Sequence, residues 1–156
     1  MKSYYLAYGS NLNLEQMSAR CPTAKPVGTA RLKGWRLSFK GSKTGSYLTI
    51  DRCANAEVPV AVWEVHDADV RSLDRYEGYP EFYDRHGMTV HFTDLKTGKL
   101  KVVHAFVYIM TGDRPTGIPT NRYLTTCLQG YADFGFNRNY LLSAYHRCEE
   151  VLKREA

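Results

Sequence analysis

The sequence predicts an α+β fold built on a small mixed, strongly curved or closed β-sheet with flanking helices. Strand-type runs crowd the middle of the chain, and helical periodicity takes over from Thr120. Shorter helical segments stand after the first strand and before a long hairpin. A length of 156 residues is enough to bury one core and enclose one pocket, so a single domain over residues 1–156 is expected.

Tyr4-Tyr5-Leu6-Ala7-Tyr8 is an apolar and aromatic run stopped by Gly9, as in a buried strand leading into a sharp turn. A helix should follow, with Asn13 as its cap, Gln16 at the capping-box position, Leu12 and Met17 spaced as a staple, and Cys21-Pro22 as its stop. Trp35, Leu37 and Phe39 alternate within residues 31–39; the polar stretch 40–46 turns and residues 47–51 return, which predicts a hairpin. Residues 58–65 are apolar on both faces, the mark of a central strand.

Asp67 is a suitable cap for a short helix in which Val70, Leu73 and Glu77 share one face and Gly78 ends the last turn. Residues 82–93 and 100–110 form two long strand-like runs around the polar turn 94–99. From Thr120, Leu124, Cys127 or Leu128, and Tyr131 recur at helical spacing. Asn137 then caps a second helix that turns Leu141, Tyr145 and Cys148 inward.

Composition narrows the function classes. The net charge of +5 comes from scattered Lys and Arg with no basic run, which predicts no nucleic-acid binding and a mild attraction for an acidic small molecule. The four cysteines form no CxxC pair and read as buried reduced thiols. No signal-peptide pattern or membrane-length apolar run occurs, so no membrane partner and a cytoplasmic location are expected. The 12 tyrosines suit pocket walls as well as cores.

Two places can carry chemistry. At Tyr8-Gly9-Ser10-Asn11, glycine lets the backbone approach a ligand, the amides near the helix start face outward, and Ser10 and Asn11 add donors. Such a turn can hold a carboxylate; an ordinary turn in which Ser10 and Asn11 only cap the helix explains the same residues. Glu77, on the apolar face at the negative end of its helix, should have a raised pKa, as a general base working near neutrality requires. The alternative is that it swings to solvent or pairs with Arg75 or Arg85. Asp74 and Glu81 are off the apolar phase, and His104, in an apolar strand, reads as a satisfied core residue. No metal-ligand spacing joins the histidines and no Gly-x-Ser-x-Gly elbow appears, so a reaction with no metal, no cofactor and one carboxylate is the economical expectation.

These residues give the chain its likeness to a known family. The opening Tyr5-Leu6-Ala7-Tyr8-Gly9-Ser10-Asn11-Leu12 is one part. The others are the block Leu73-Asp74-Arg75-Tyr76-Glu77-Gly78-Tyr79-Pro80 with Tyr83 after it, and Pro119-Thr120-Asn121-Arg122-Tyr123. Together they resemble the γ-glutamyl cyclotransferase superfamily, including the AIG2-like proteins. The resemblance implies a small β-barrel with flanking helices, a Tyr8–Asn11 loop that binds the γ-glutamyl moiety, and Glu77 moving the proton. It also implies Tyr83 and Tyr123 as pocket lining. The implied substrate is a γ-glutamyl amide that cyclises to 5-oxoproline and expels a free amine or amino acid. The long helical segment after Tyr123 resembles forms acting on γ-glutamyl amino acids or amines more than the compact glutathione-specific enzymes. A noncatalytic binding module of the same fold is the competing expectation.

Overall fold

The computed structural model describes residues 2–42 and 44–155. In chain order it contains β1 (Lys2–Ala7), a 3-10 turn (Ser10–Leu12), α1 (Leu14–Arg20), β2 (Lys25–Lys40), β3 (Tyr47–His66) and α2 (Asp67–Glu77). Then follow β4 (Tyr83–Asp94), β5 (Leu100–Met110), α3 (Asn121–Phe134) and α4 (Asn139–Glu155). The strands close into a barrel in the order β1-β3-β2-β4-β5. Neighbours are antiparallel except where β5 meets β1 in parallel, with Tyr5 opposite Phe106. An α+β barrel with flanking helices is the architecture the sequence predicts.

The sequence pattern suggests two separate segments at 47–51 and 58–65, whereas the structure joins them in one strand of 20 residues. Its middle is irregular: pairing with β2 jumps from Trp35–Arg52 to Lys33–Glu57, and Asn55 between them takes φ 66. Residues 52–56 there are exposed or half-buried, so the apolar pattern stops and restarts without the strand ending. Beyond the bend, Val58, Val60, Val62 and Val65 have no exposure and Trp63 packs edge-on against Phe134 of α3, so both faces of β3 are covered.

Helix α2 begins one residue earlier than the sequence suggests. His66 is the cap, and Asp69 accepts its N–H at 3.0 Å as well as the Thr23 hydroxyl at 2.7 Å, which accounts for a carboxylate only 2 % exposed. Leu73 has no exposure. Gly78 closes the helix at φ 63, a left-handed conformation that favours glycine. One turn before that end, Asp74 accepts the Tyr108 hydroxyl of β5 at 2.6 Å and pairs with Arg85 of β4 at 3.6 Å. These contacts fix the end of α2 against the barrel, and they give Asp74 a structural role.

The cap predictions at the other helices fare well. Asn13 accepts the Gln16 N–H at 3.0 Å and Asn137 accepts the Asn139 N–H at 2.9 Å, while α3 has a cap that the pattern did not single out, Thr120, which accepts the Tyr123 N–H. Two side-chain expectations fail. His104 is exposed on β5, 3.4 Å from Thr89, because its strand turns that face to solvent. Cys53 is half-buried at the bend of β3, whereas Cys21, Cys127 and Cys148 are buried. Burial pushes the thiols of Cys21 and Cys127 up to about 11 and about 12, so both stay protonated and unreactive near neutrality.

Candidate active site

A cavity of 430 Å³ opens where β1 runs into the 3-10 turn and where α2 ends. Tyr5, Tyr8 and Tyr108 line it from the barrel side, Gly9, Ser10 and Asn11 from the turn, Glu77 and Gly78 from α2, and Tyr83 and Tyr123 from β4 and α3. Every sequence-predicted site residue therefore lies on one cavity. The residues are far apart in the chain, and barrel closure brings them together.

Most of the tyrosine hydroxyls are committed to holding that wall. Tyr8 donates to the Tyr108 carbonyl at 2.6 Å and Tyr83 donates to the Leu48 carbonyl at 2.7 Å, while the Tyr123 hydroxyl accepts the Leu48 N–H at 3.1 Å. Burial raises the pKa of Tyr5, Tyr8, Tyr83 and Tyr123 well above the ordinary phenol value, with the Glu77 charge adding to it, so these hydroxyls remain neutral. They supply shape and hydrogen bonds and carry no charge.

Neither Ser10 nor Asn11 caps α1; Asn13 does. The 3-10 turn closes through Leu12 N–H to Gly9 and Asn13 N–H to Ser10, each at 3.0 Å, so the amides of Ser10 and Asn11 have no acceptor within the turn. The Ser10 hydroxyl stands 3.2 Å from that of Tyr76. A Cβ on Gly9 would lie 3.3 Å from both Leu48 Cδ1 and the Tyr123 hydroxyl, so the turn is packed tightly from behind.

Asn11 has a second task that spacing did not reveal. Its Oδ1 accepts from Arg20 Nη1, and since a guanidinium offers only donors, this contact fixes which way the amide points. Its Nδ2 then donates to the Tyr5 hydroxyl at 2.9 Å and faces Glu77 Oε1 at 3.5 Å. Arg20 is itself held by Gln16 Oε1 at 2.8 Å and lies over the Tyr76 ring at 3.3 Å. Arg20 and Tyr5 are thus site-orienting residues missed in the sequence. The available signals were the α1 spacing of Gln16 and Arg20 and the inward phase of Tyr5 along β1.

Glu77 faces the cavity, and among the described residues it pairs with neither Arg75 nor Arg85. Burial pushes its carboxyl from the ordinary 4.5 up to about 7, and the Arg20 charge opposes part of that rise. The group can therefore take a proton and return it near neutral pH. Among the described residues no three His, Cys, Asp or Glu side chains are grouped as metal ligands, and no helix is long and apolar enough to cross a membrane.

Residues 5–125, which include the barrel from Tyr5 of β1 onward, α2 and the start of α3, match the family model described as gamma-glutamyl cyclotransferase, AIG2-like. A human protein named gamma-glutamylcyclotransferase is 31% identical over 144 residues, 87% of this chain and 73% of that one. A bovine protein of the same name is 38% identical over 81 residues, 47% of this chain and 43% of that one. A solved structure named gamma-glutamyl cyclotransferase shares the fold at a TM-score of 0.77 and 24% identity, covering 99% of each chain. The matched segment contains the cavity, the turn and the carboxylate described above, and on that match the chain belongs to the γ-glutamyl cyclotransferase, AIG2-like family of enzymes.

Proposed function

We propose that this enzyme converts a γ-glutamyl amide to 5-oxoproline and a free amine or amino acid by intramolecular attack, with Glu77 as general acid and base. The observation that carries the reading is a single carboxyl, raised to about 7, on the wall of a cavity that also exposes the Gly9–Asn11 turn.

The substrate's own α-nitrogen attacks its γ-carbonyl carbon, so a ring C–N bond forms and the enzyme supplies no nucleophile. Folding the glutamyl chain into attacking geometry supplies much of the acceleration. Glu77 takes a proton from the α-nitrogen and gives it to the departing nitrogen as the amide C–N bond breaks. The amides of Ser10 and Asn11 hold the glutamyl carboxylate or the developing oxyanion, and Tyr8, Tyr83 and Tyr123 wall the glutamyl chain. A reducing compartment such as the cytoplasm suits the unpaired cysteines.

The pH dependence follows from the base role. The carboxylate form of Glu77 starts the reaction, so kcat/KM falls on acidification with a midpoint near 7. Arg20→Gln removes the charge that opposes the rise, and the midpoint moves to higher pH; kcat/KM profiles of both proteins check this.

The reading is tested by incubating the protein with γ-glutamyl amino acids, γ-glutamyl-lysine isopeptides and γ-glutamyl amines and measuring 5-oxoproline. Stoichiometric 5-oxoproline and free amine from at least one class is expected. Saturable binding without release would make the protein a noncatalytic binding module.

A further inference from the structure

At about 30 Å³ per water, the 430 Å³ cavity would hold about fourteen waters, more than the heavy atoms of a glutamyl fragment. Much of it is therefore left for the leaving group. Two of the described lining residues are charged, Glu77 and Arg75.

Arg75 stands in the last turn of α2 and is exposed. Among the described residues, nothing forms a hydrogen bond, ion pair or ring contact with its guanidinium. The arginines around it are engaged: Arg20 by Asn11 and Gln16, Arg85 by Asp74 and the Tyr79 ring, Arg114 by Thr111 and the Phe82 ring. A cation at a helix C-terminus is favourable anywhere around the turn. That preference alone does not account for a position on the cavity wall.

The mouth is otherwise aromatic. Tyr47 is 44% exposed and meets Phe82 and Tyr123 edge-on at 6.1 and 5.1 Å between ring centroids. An exposed aromatic side chain at a cavity entrance offers an apolar ligand a ready contact.

Resting on the cyclising reading above, we infer that the leaving group is an amino acid with a bulky apolar or aromatic side chain, its carboxylate on Arg75 and its side chain against Tyr47 and Phe82. The charges then match. Glu77 faces the glutamyl α-ammonium, the Ser10 and Asn11 amides face the glutamyl carboxylate, and Arg75 faces the carboxylate of the departing amino acid. A simple amine brings no third charge and leaves Arg75 unpaired.

Three substrates separate the parts: γ-glutamyl-phenylalanine, γ-glutamyl-phenethylamide, which has the ring without the carboxylate, and γ-glutamyl-alanine, which has the carboxylate without the ring. For the full chain, kcat/KM from 5-oxoproline release should favour the phenylalanine compound over each of the others about tenfold, a common yield of one charge-assisted hydrogen bond or one buried ring. Arg75→Gln should bring the phenylalanine-to-phenethylamide ratio to about one, and Tyr47→Ala should do the same to the phenylalanine-to-alanine ratio. Wild-type ratios near one overturn the inference. So does an Arg75→Gln protein that slows on both substrates and keeps the ratio, because the guanidinium would then hold the glutamyl carboxylate. Release from all three without selectivity overturns this inference alone, whereas release from none overturns the cyclising reading and this inference with it.

Discussion

Glu77→Gln should lower kcat/KM for 5-oxoproline formation by about a thousandfold and make the protein more stable above neutral pH. On the proposed mechanism the change removes the group that relays the proton while keeping its shape, and general acid–base catalysis contributes about a hundred- to ten-thousandfold. The gain follows from linkage. The folded-state value of about 7 lies above the ordinary 4.5, so the folded protein binds the proton more tightly than the unfolded chain does. That contribution is complete below about 4.5 and is lost as pH rises through 7, where the carboxylate must sit in the cavity wall. A neutral amide escapes the penalty. At about 1.4 kcal/mol per pKa unit, reduced because the carboxyl meets cavity water, the variant should exceed wild type by about 2 kcal/mol at pH 8 and match it near pH 4. Thermal denaturation at the two pH values, alongside the activity assay, measures both effects. A folded variant with wild-type turnover would remove Glu77 from the mechanism.

Gly130→Ala should be among the most damaging single-methyl changes in the chain. Gly130 is on the buried face of α3, where an added Cβ would stand 2.6 Å from Asn13 N and 2.7 Å from both the Leu12 carbonyl carbon and Leu12 Cβ. Two of those atoms are main chain, so no side-chain rotation relieves the clash. Alanine gains about 1 kcal/mol of helix propensity over glycine, but overpacking of this kind costs more, and a net loss of about 2 kcal/mol or greater is expected. At about 2–4 °C per kcal/mol for a chain of this size, the melting temperature falls by about 5 °C or more. Activity should fall as well, because α3 also holds this turn through Asn13 Nδ2 to the Thr126 carbonyl and the Leu14 N–H to Asp133. The displaced residues adjoin Ser10 and Asn11. An unchanged melting temperature would mean that α3 can slide outward freely.

What the sequence shows well is what local chemistry decides. Glu77 is legible because Val70 and Leu73 set a helical phase and Gly78 ends it within one turn. The hairpin of β4 and β5 is legible because its polar turn stands between long apolar runs. The continuity of β3 is not, since the bend at Asn55 interrupts the pattern without breaking the strand. His104 misleads because apolar neighbours along a strand do not show that its own face points inward. The orientation of Asn11 is hidden for another reason. It depends on Arg20 of α1 and on Tyr5 and Glu77, and the last is separated from it by 66 residues that only barrel closure brings back.

The floor of the cavity is interlocked. Tyr8 is bonded to Tyr108, Tyr108 to Asp74, and Tyr83 and Tyr123 both to Leu48, so each change there propagates into strand pairing. The rim is different, because Arg75 and Tyr47 project to solvent and carry little of the core. On the proposed reading, proton transfer at Glu77 and the choice of departing group would therefore rest on separable parts of the chain. If the enzyme cyclises its substrate as proposed, variation at rim positions should redirect which amine is released at little cost in folding, while the interlocked floor leaves the proposed chemistry untouched.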